Sequence, residues 1–240
     1  MIHGNGRIDL VLVDFDDTLV DTGPRFQGAR RSLLGLMEEA GFAADAAHDM
    51  LYNQVDPAMR AQYGLGPRRM EPAFVATYEA LCAAAGRPVD PALRERCAEL
   101  GRSCYGPPPA FDGALDALRR LSASHRTVIY TQSGDLEYQQ DCIRGVGIVD
   151  IVSAAHVHVC SRKDVEMFRQ TLQAFDVRDP AAAWMIGNSM RSDINPALEA
   201  GANAILVETH DPWEYDLVEP VSPRFHRVRS FTAAVELLVP

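Results

Sequence analysis

The chain has 240 residues, 47% of them hydrophobic and 23% charged, which excludes general disorder and suffices for one large domain or a core domain with an insert. Its 33 acidic and 23 basic residues give a net charge of −10, which excludes the basic surface of a nucleic-acid binder. The first residues lack the basic start and apolar run of an export signal, and no stretch approaches the roughly 18 apolar residues that a membrane helix needs. We therefore expect a cytoplasmic protein whose five cysteines stay reduced and whose partners include neither nucleic acid nor membrane.

Short apolar runs alternate with helical patterns in most of the chain. The runs that predict buried strands are 8–13, 127–130, 183–186 and 204–207, with a weaker one at 151–152. The segments with helical spacing are 113–124, 135–145, 162–175 and 191–200. This alternation predicts an α/β fold, a Rossmann-like parallel sheet covered on both faces.

Residues 23–106 interrupt this rhythm and predict an inserted helical domain. Their helical patterns cover 24–40, 46–52, 71–85 and 91–105, with Asp90 as the N-cap of the last. Three consecutive prolines at 107–109 then form a stiff return to the sheet domain, which we assign to residues 1–22 and 107–240. We expect the segment 211–229 to be irregular and 231–238 to form a closing helix.

Polar residues follow the predicted strands, and parallel strands bring their carboxyl ends to one edge of the sheet. Asp14 and Asp16 follow the first strand, Thr131 lies at the end of the second, and Asn188 and Asp193 follow the 183–186 strand. Neighbouring carboxylates repel unless a cation lies between them. Mg²⁺ suits the oxygens of Asp14, Asn188 and Asp193 and the backbone carbonyl of Asp16.

Lys163, placed at the start of a predicted helix, is the only lysine among the 23 basic residues. A lysine in so arginine-rich a chain marks a place that needs a compact ammonium. Together with the Thr131 hydroxyl, Lys163 is suited to hold phosphoryl oxygens. Taken singly, these residues are equally compatible with turn, capping or solvated-surface roles. Their convergence at one edge favours a phosphoryl-transfer site.

Four segments resemble the motifs of the haloacid dehalogenase superfamily in its phosphatase form. The run DFDDTLVDT at 14–22 is similar to the first motif, and YTQSG at 130–134 to the second. RKD at 162–164 resembles the third, and GNSMRSD at 187–193 the fourth. The resemblance implies a Rossmann-like core and a helical cap between the first and second motifs. It also implies Mg²⁺-dependent transfer of a phosphoryl group through an aspartyl-phosphate.

The resemblance also implies residue roles and a substrate class. Asp14 would be the nucleophile, Asp16 the general acid and base, Thr131 and Lys163 the phosphate ligands, and Asp193 a residue that serves the metal. The substrate would be a small-molecule phosphate ester.

Two residues depart from the family's pattern. The fourth motif usually opens Gly-Asp, whereas this chain has Asn188, whose amide coordinates through oxygen but brings no charge. Gln132 is longer than the residue often found at its place, and we include it among the substrate-binding candidates because its side chain is long enough to reach the substrate.

Three other functions remain open at this point. A dehalogenase of the same fold would use Asp14 to attack carbon and would need neither Asp16 nor a metal. A catalytically weak or silent phosphate-binding scaffold is compatible with Asn188. A signalling receiver also groups acids, a Thr and a Lys, but its chain is about half as long and has no helical insert. A fourth function, phosphonate hydrolysis through an imine, is excluded, because it needs a lysine in the cap and residues 23–105 contain none.

Overall fold

A computed structural model describes residues 7–209 and 214–239. Contacts between residues divide the chain into a sheet unit and a helical unit. Of the described residues, the sheet unit comprises 7–22, 107–132, 139–209 and 214–239, and the helical unit comprises 23–106 together with 133–138. The short segment 133–138, which the sequence prediction assigned to the sheet domain, thus packs with the helical unit.

Within the described residues, the sheet unit is built on six parallel strands. They are β1 (Leu10–Val13), β2 (Thr127–Gln132), β3 (Val157–Cys160), β4 (Ala183–Gly187), β5 (Asn203–Val207) and β6 (His226–Val228). Their order across the sheet is β3-β2-β1-β4-β5-β6, and neighbouring strands run parallel throughout. This arrangement confirms the predicted Rossmann-like α/β class. The order reverses beside β1, where β2 and β4 flank it, and ligands of such sheets bind at the strand ends near that point.

Along the chain, α-helices lie between most of the strands of the sheet unit and after the last one. They are α6 (Ala114–Ser124), α7 (Leu136–Gly145), α8 (Val165–Ala174), α9 (Asn195–Glu199) and α10 (Phe231–Leu238). The apolar positions of α8 and α9 are buried against β1, β2, β4 and β5, and fully buried Leu10, Leu12, Tyr130 and Phe168 belong to that core. Burying a large apolar side chain contributes about 1.5–3 kcal/mol, so this core fixes the strand ends that carry the polar residues.

The structure corrects three predictions about the sheet unit. Residues 151–152 form a turn, and the strand at this place is Val157–Cys160, whose alternating, half-exposed sequence lacks an apolar run. Lys163 precedes α8 instead of starting it, since Asp164 is the N-cap and its side chain accepts from Met167 N at 2.8 Å. The segment 211–229 is not wholly irregular: Glu214–Asp216 forms a 3₁₀ turn and His226–Val228 pairs with β5. The first of those residues, 211–213, lie outside the described residues.

The helical unit contains five α-helices. They are α1 (Gly23–Glu39), α2 (Ala44–Asp49), α3 (Asp56–Tyr63), α4 (Met70–Ala84) and α5 (Pro91–Arg102), with a π-helical turn at Met50–Val55 and a 3₁₀ turn at Pro67–Arg69. Helix α3 has no counterpart in the sequence prediction. Asp90 caps α5 as expected, accepting from Ala92 N at 2.9 Å. The unit has its own core, which includes buried Leu33, Met37, Met70 and Phe74.

Segment 133–138 belongs to the helical unit through close backbone contact. Gly134 N donates to Leu65 O at 2.5 Å, and a β-carbon added to Gly134 would overlap the carbonyl of Tyr63. The residues that follow β2 are therefore held by the 63–65 segment.

All five cysteines are buried free thiols, as expected. None of the helices in the described ranges is both long and apolar enough to cross a membrane.

We predict that Gly101→Ala destabilises the helical unit. A β-carbon on Gly101 would overlap the backbone of Glu71 in α4, so α4 and α5 would have to separate, at a cost of about 1–3 kcal/mol. Gly35→Ala is the matched control, because no atom lies within 4 Å of its added β-carbon, and alanine should stabilise α1 by about 1 kcal/mol. Urea denaturation followed by circular dichroism measures both. Equal stability of the two variants would contradict the close packing of α4 on α5.

Candidate active site

The polar residues predicted to converge do so at the carboxyl ends of β1 and β4, within the sheet unit. Asp14 follows β1, and its backbone N donates to Ile186 O of β4 at 2.9 Å. Asn188 follows β4, and Asp193 lies in the π-helical turn Met190–Ile194. Asp193 can approach this strand end because Gly187 has no β-carbon, which would overlap the Asp193 side chain.

Lys163 bridges the two carboxylates. Its Nζ donates to Oδ1 of Asp14 and to Oδ1 of Asp193, the latter at 2.6 Å. All three residues are buried, with 8%, 5% and 1% of their surfaces exposed for Lys163, Asp14 and Asp193. Burial lowers the pKa of Lys163, but the two carboxylates raise it more, so the ammonium stays charged. Two carboxylates against one ammonium leave a surplus negative charge. Burial raises the pKa of Asp193, and the charge of Asp14 adds to this, against the lowering effect of Lys163.

Thr18 joins Asp14 to Asn188. Its hydroxyl donates to Oδ2 of Asp14 at 3.2 Å and lies 3.4 Å from Oδ1 of Asn188. The one hydroxyl contacts two acceptors and so places an oxygen of Asp14 beside an oxygen of Asn188.

Asp16 is held in the same loop by a turn that the next residues form. Asp17 has a positive φ of 55°, and its N donates to Val20 O at 2.8 Å. One carboxylate oxygen of Asp16 accepts from the Thr22 hydroxyl at 2.8 Å, and the other from Gln139 Nε2 at 2.6 Å. Burial and the charge of Asp14 raise the pKa of Asp16, against the lowering effect of these two hydrogen bonds. Asp16 is therefore suited to carry a proton.

Thr131 and Gln132 end β2 in different surroundings. The Thr131 side chain is buried, and its hydroxyl accepts from Gln139 Nε2 at 3.1 Å, so one amide connects Thr131 with Asp16. The Gln132 amide donates to Ser161 O at 3.1 Å, in the turn that leads to Lys163. The structure thus connects Thr131 with Asp16 and places Gln132 at the neighbouring turn.

The sequence analysis missed Gln139 and Asp216. Asp216, in the turn Glu214–Asp216, accepts from the Ser189 hydroxyl at 2.6 Å, and burial raises its pKa. Arg191 anchors this turn, because its Nε donates to Tyr215 O at 2.6 Å and its guanidinium lies 4.6 Å from the Tyr215 ring centre. No motif or spacing signals either residue, since both reach the site through contacts with distant parts of the chain.

The donor set agrees with a hard divalent cation. Carboxylate and amide oxygens from Asp14 and Asn188 lie side by side, and the surrounding charge is negative. Both oxygens of Asp193 already accept hydrogen bonds, one from Lys163 and one from Ser189 N at 2.9 Å. In the part of the chain that the structure describes, no three His, Cys, Asp or Glu side chains group into a metal site. The residues fit Mg²⁺, which keeps several waters and needs only one or two protein carboxylates.

Comparison with known proteins agrees with this fold. The family model of the haloacid dehalogenase-like hydrolases matches residues 8–201. No curated protein matches the chain significantly.

Solved structures align over almost the whole chain. A haloacid dehalogenase-like family hydrolase from Xanthomonas campestris is 25% identical, covering 97% of this chain and 92% of its own, with a TM-score of 0.77. A 2-haloacid dehalogenase from Pseudomonas syringae pv. tomato is 20% identical, covering 96% and 98%, with a TM-score of 0.57. A magnesium-bound putative hydrolase, YfnB, from Bacillus subtilis is 17% identical, covering 97% and 99%, with a TM-score of 0.58.

We predict that Lys163→Met destabilises the protein in metal-free, EDTA-containing buffer at neutral pH. The substitution leaves Asp14 and Asp193 buried without their counter-charge, which costs about 3–5 kcal/mol. The double variant Lys163→Met/Asp193→Asn should recover part of this loss, because it removes one of the two unpaired charges. Urea denaturation of the wild type, both single variants and the double variant gives the coupling energy. Strictly additive effects would contradict the bridging role of Lys163.

Proposed function

This chain belongs to the haloacid dehalogenase-like hydrolase family, and from that membership we propose that it is a Mg²⁺-dependent phosphatase of small-molecule phosphate monoesters. The observation that carries the proposal is the state of Asp16, an acid with a raised pKa whose two oxygens are held by Thr22 and Gln139. Hydrolysis of an ester through a covalent intermediate needs a proton donor for the leaving alkoxide, whereas attack of a carboxylate on a carbon–halogen bond does not.

In the proposed reaction, the Asp14 carboxylate attacks phosphorus, forming an acyl phosphate as the bond to the ester oxygen breaks. Asp16 gives its proton to the leaving alkoxide. A water then attacks the acyl phosphate, Asp16 takes a proton from that water, and phosphate leaves as Asp14 regains its carboxylate. Asp16 thus serves as the acid in the first step and as the base in the second.

Charge on the transferred oxygens needs cationic and hydrogen-bonding partners. Lys163 already lies against the Asp14 carboxylate, and the Thr131 hydroxyl lies within the same hydrogen-bonded chain as Asp16. Asp14, Asn188 and Asp193, with the Asp16 carbonyl, would hold Mg²⁺, which when bound supplies further positive charge beside the phosphoryl group. The magnesium found in the Bacillus subtilis neighbour supports this choice of metal.

The helical unit is assigned the role of the cap. Its insertion between β1 and β2, the two strands that carry the nucleophile and Thr131, supports this assignment. In this role residues 23–106 would select the alcohol part of the ester. We propose that hydrolysis takes place in the cytoplasm.

A second candidate is a 2-haloacid dehalogenase. The specific observation in its favour is Asn188, which removes one carboxylate from the donor set of a metal. A structural neighbour of that name shares the fold. Attack of Asp14 on carbon would proceed without metal and without Asp16.

We predict that Asp14→Asn abolishes phosphatase turnover, because an amide cannot form the acyl phosphate. Asp16→Asn should lower kcat on an alkyl phosphate such as glycerol 2-phosphate by about 10²–10⁴-fold. With p-nitrophenyl phosphate the leaving group needs no proton, so Asp16→Asn should release one equivalent of p-nitrophenolate in a burst before slow hydrolysis of the intermediate. Stopped-flow absorbance measures the burst.

Asp21→Asn is the matched control, since Asp21 lies in the same loop and its side chain makes no hydrogen bond or ion pair in the described structure. It should retain the wild-type rate on both esters. An Asp16→Asn variant with full activity on the alkyl ester would refute the acid and base role.

We predict that EDTA removes the phosphatase activity and that added Mg²⁺ restores it. The oxygen ligands around Asp14 carry a surplus of negative charge, which repels a dianionic ester, so the site needs the cation before the ester can bind. Activity is measured as phosphate release from p-nitrophenyl phosphate, and chloride release from 2-chloropropionate is measured in parallel. Chloride release that survives EDTA, without phosphate release at any Mg²⁺ concentration, would select the dehalogenase.

A further inference from the structure

The segment after β5 brings a further carboxylate to the residues that follow β4. Asp216 ends the turn Glu214–Asp216, and its Oδ1 accepts from the Ser189 hydroxyl at 2.6 Å. Ser189 comes directly after Asn188, and its backbone N donates to Oδ2 of Asp193 at 2.9 Å. Ser189 therefore contacts the carboxylates of both Asp193 and Asp216, and all of these residues belong to the sheet unit.

Contacts on either side hold Asp216 in this place. The Nε of Arg191 donates to Tyr215 O at 2.6 Å, and the side-chain amide of Asn195 donates to Glu219 O at 2.9 Å. Asp216 lies between these two attachments along the chain. Its carboxylate is therefore fixed against the residues that follow β4.

The Asp216 carboxylate is only partly engaged. Its Oδ2 accepts no hydrogen bond from the residues that the structure describes, and no cationic side chain among them forms an ion pair with it. The side chain is half-buried. Burial and the charge of Asp14 raise the pKa of Asp216, against the lowering effects of the Ser189 hydrogen bond and of the charges of Lys163 and Arg191. Asp216 thus shares the electrostatic surroundings of Asp14.

The residues already assigned to the site carry one surplus negative charge. Lys163 neutralises one of the two carboxylates of Asp14 and Asp193. Asn188 contributes a neutral amide oxygen, and Asp16 is uncharged when it carries its proton. One surplus charge balances only half of the charge of a divalent cation.

We infer that Asp216 supplies the second negative charge of the magnesium site, acting through Ser189 and water, an inference that rests on the proposed metal-dependent function. Direct ligation does not fit, because the described ranges contain no group of three His, Cys, Asp or Glu side chains that could hold a metal. Mg²⁺ keeps several of its waters when bound, and carboxylates outside the ligand set hold such waters and orient the ligands. Asp216 is thus a positioning residue for the cation.

A purely structural role would need only the hydrogen bond between Asp216 and Ser189. Asparagine keeps an acceptor oxygen at the same position, so Asp216→Asn preserves this hydrogen bond and removes the charge. The variant therefore separates the two roles.

The first experiment measures Mg²⁺ binding to the full-length protein by isothermal titration calorimetry, without substrate. We expect Asp216→Asn to weaken Mg²⁺ binding at least about tenfold. Glu219→Gln is the matched control, because Glu219 is an exposed acid of the same segment whose side chain makes no hydrogen bond or ion pair with the described residues. It should bind Mg²⁺ as the wild type does. Equal binding by Asp216→Asn and the wild type would overturn the inference.

A second variant tests whether charge is the cause. Asn188→Asp places a carboxylate among the proposed ligands, so Asn188→Asp/Asp216→Asn should bind Mg²⁺ at least about tenfold more tightly than Asp216→Asn alone. If the added carboxylate restores no affinity, Asp216 acts by shaping the loop and the inference is wrong.

A measurement without metal tests the charge independently of binding. In EDTA, the Asp216 carboxylate adds to a surplus of like charge, so Asp216→Asn should melt at a higher temperature than the wild type. A lower melting temperature would identify Asp216 as a structural partner of Ser189 only.

Different results contradict the inference and the proposed function. Absence of Mg²⁺ binding by the wild type contradicts the metal-dependent function, and the inference with it. Mg²⁺ binding that Asp216→Asn weakens, without hydrolysis of any phosphate ester, supports the inference and contradicts the phosphatase. Phosphate ester hydrolysis with equal Mg²⁺ binding by Asp216→Asn and the wild type contradicts the inference alone.

Discussion

The Lys163 ammonium between the carboxylates of Asp14 and Asp193 is the interaction on which the rest of the site depends. It joins residues that are 149 and 30 positions apart in the sequence and that follow three different strands. Without the ammonium, the two buried carboxylates at this edge of the sheet would repel each other, and their present arrangement would be unfavourable. Because the ammonium neutralises only one of them, the site keeps a negative charge that suits a divalent cation. Lys163, the single lysine of the chain, thus supplies the positive charge that allows Asp14 and Asp193 to be buried close together.

The chain leaves the sheet unit through the loop that carries Asp14 and Asp16. Residues 14–22 form a turn tied by Asp17, Val20 and Thr22, after which the helical unit starts at residue 23. Asp16 lies in the middle of this turn and reaches Gln139, the residue at which the chain rejoins the sheet unit after segment 133–138. The Asp16 carboxylate is therefore held by Thr22 and Gln139, which lie where the chain leaves and rejoins the sheet unit.

Asn188 and Asp216 show how the charge of the site is distributed. The amide at position 188 contributes an oxygen without charge, while the hydroxyl of the next residue, Ser189, donates to the carboxylate of Asp216. Asn195 holds the segment that contains Asp216: its side chain donates to Glu219 O at 2.9 Å and accepts from Val221 N at 3.0 Å. The segment after β5 is thus packed against the turn that carries Asp193. The Asp216 carboxylate therefore adds negative charge near the turn that carries Asp193.

The sequence by itself determined the class of the sheet, four of its six strands and the convergence of Asp14, Lys163, Asn188 and Asp193. It could do so because buried parallel strands have apolar runs and their carboxyl ends share one edge, so residues that follow such runs meet. Only the tertiary structure decided the strand Val157–Cys160, whose half-exposed residues carry no apolar run, and the strand His226–Val228 at the sheet edge. It alone brought Gln139 to Asp16, Asp216 to Ser189 and Arg69 to Asp56, across 123, 27 and 13 positions. Such contacts depend on how helices and loops pack in three dimensions, and local sequence patterns do not record that packing.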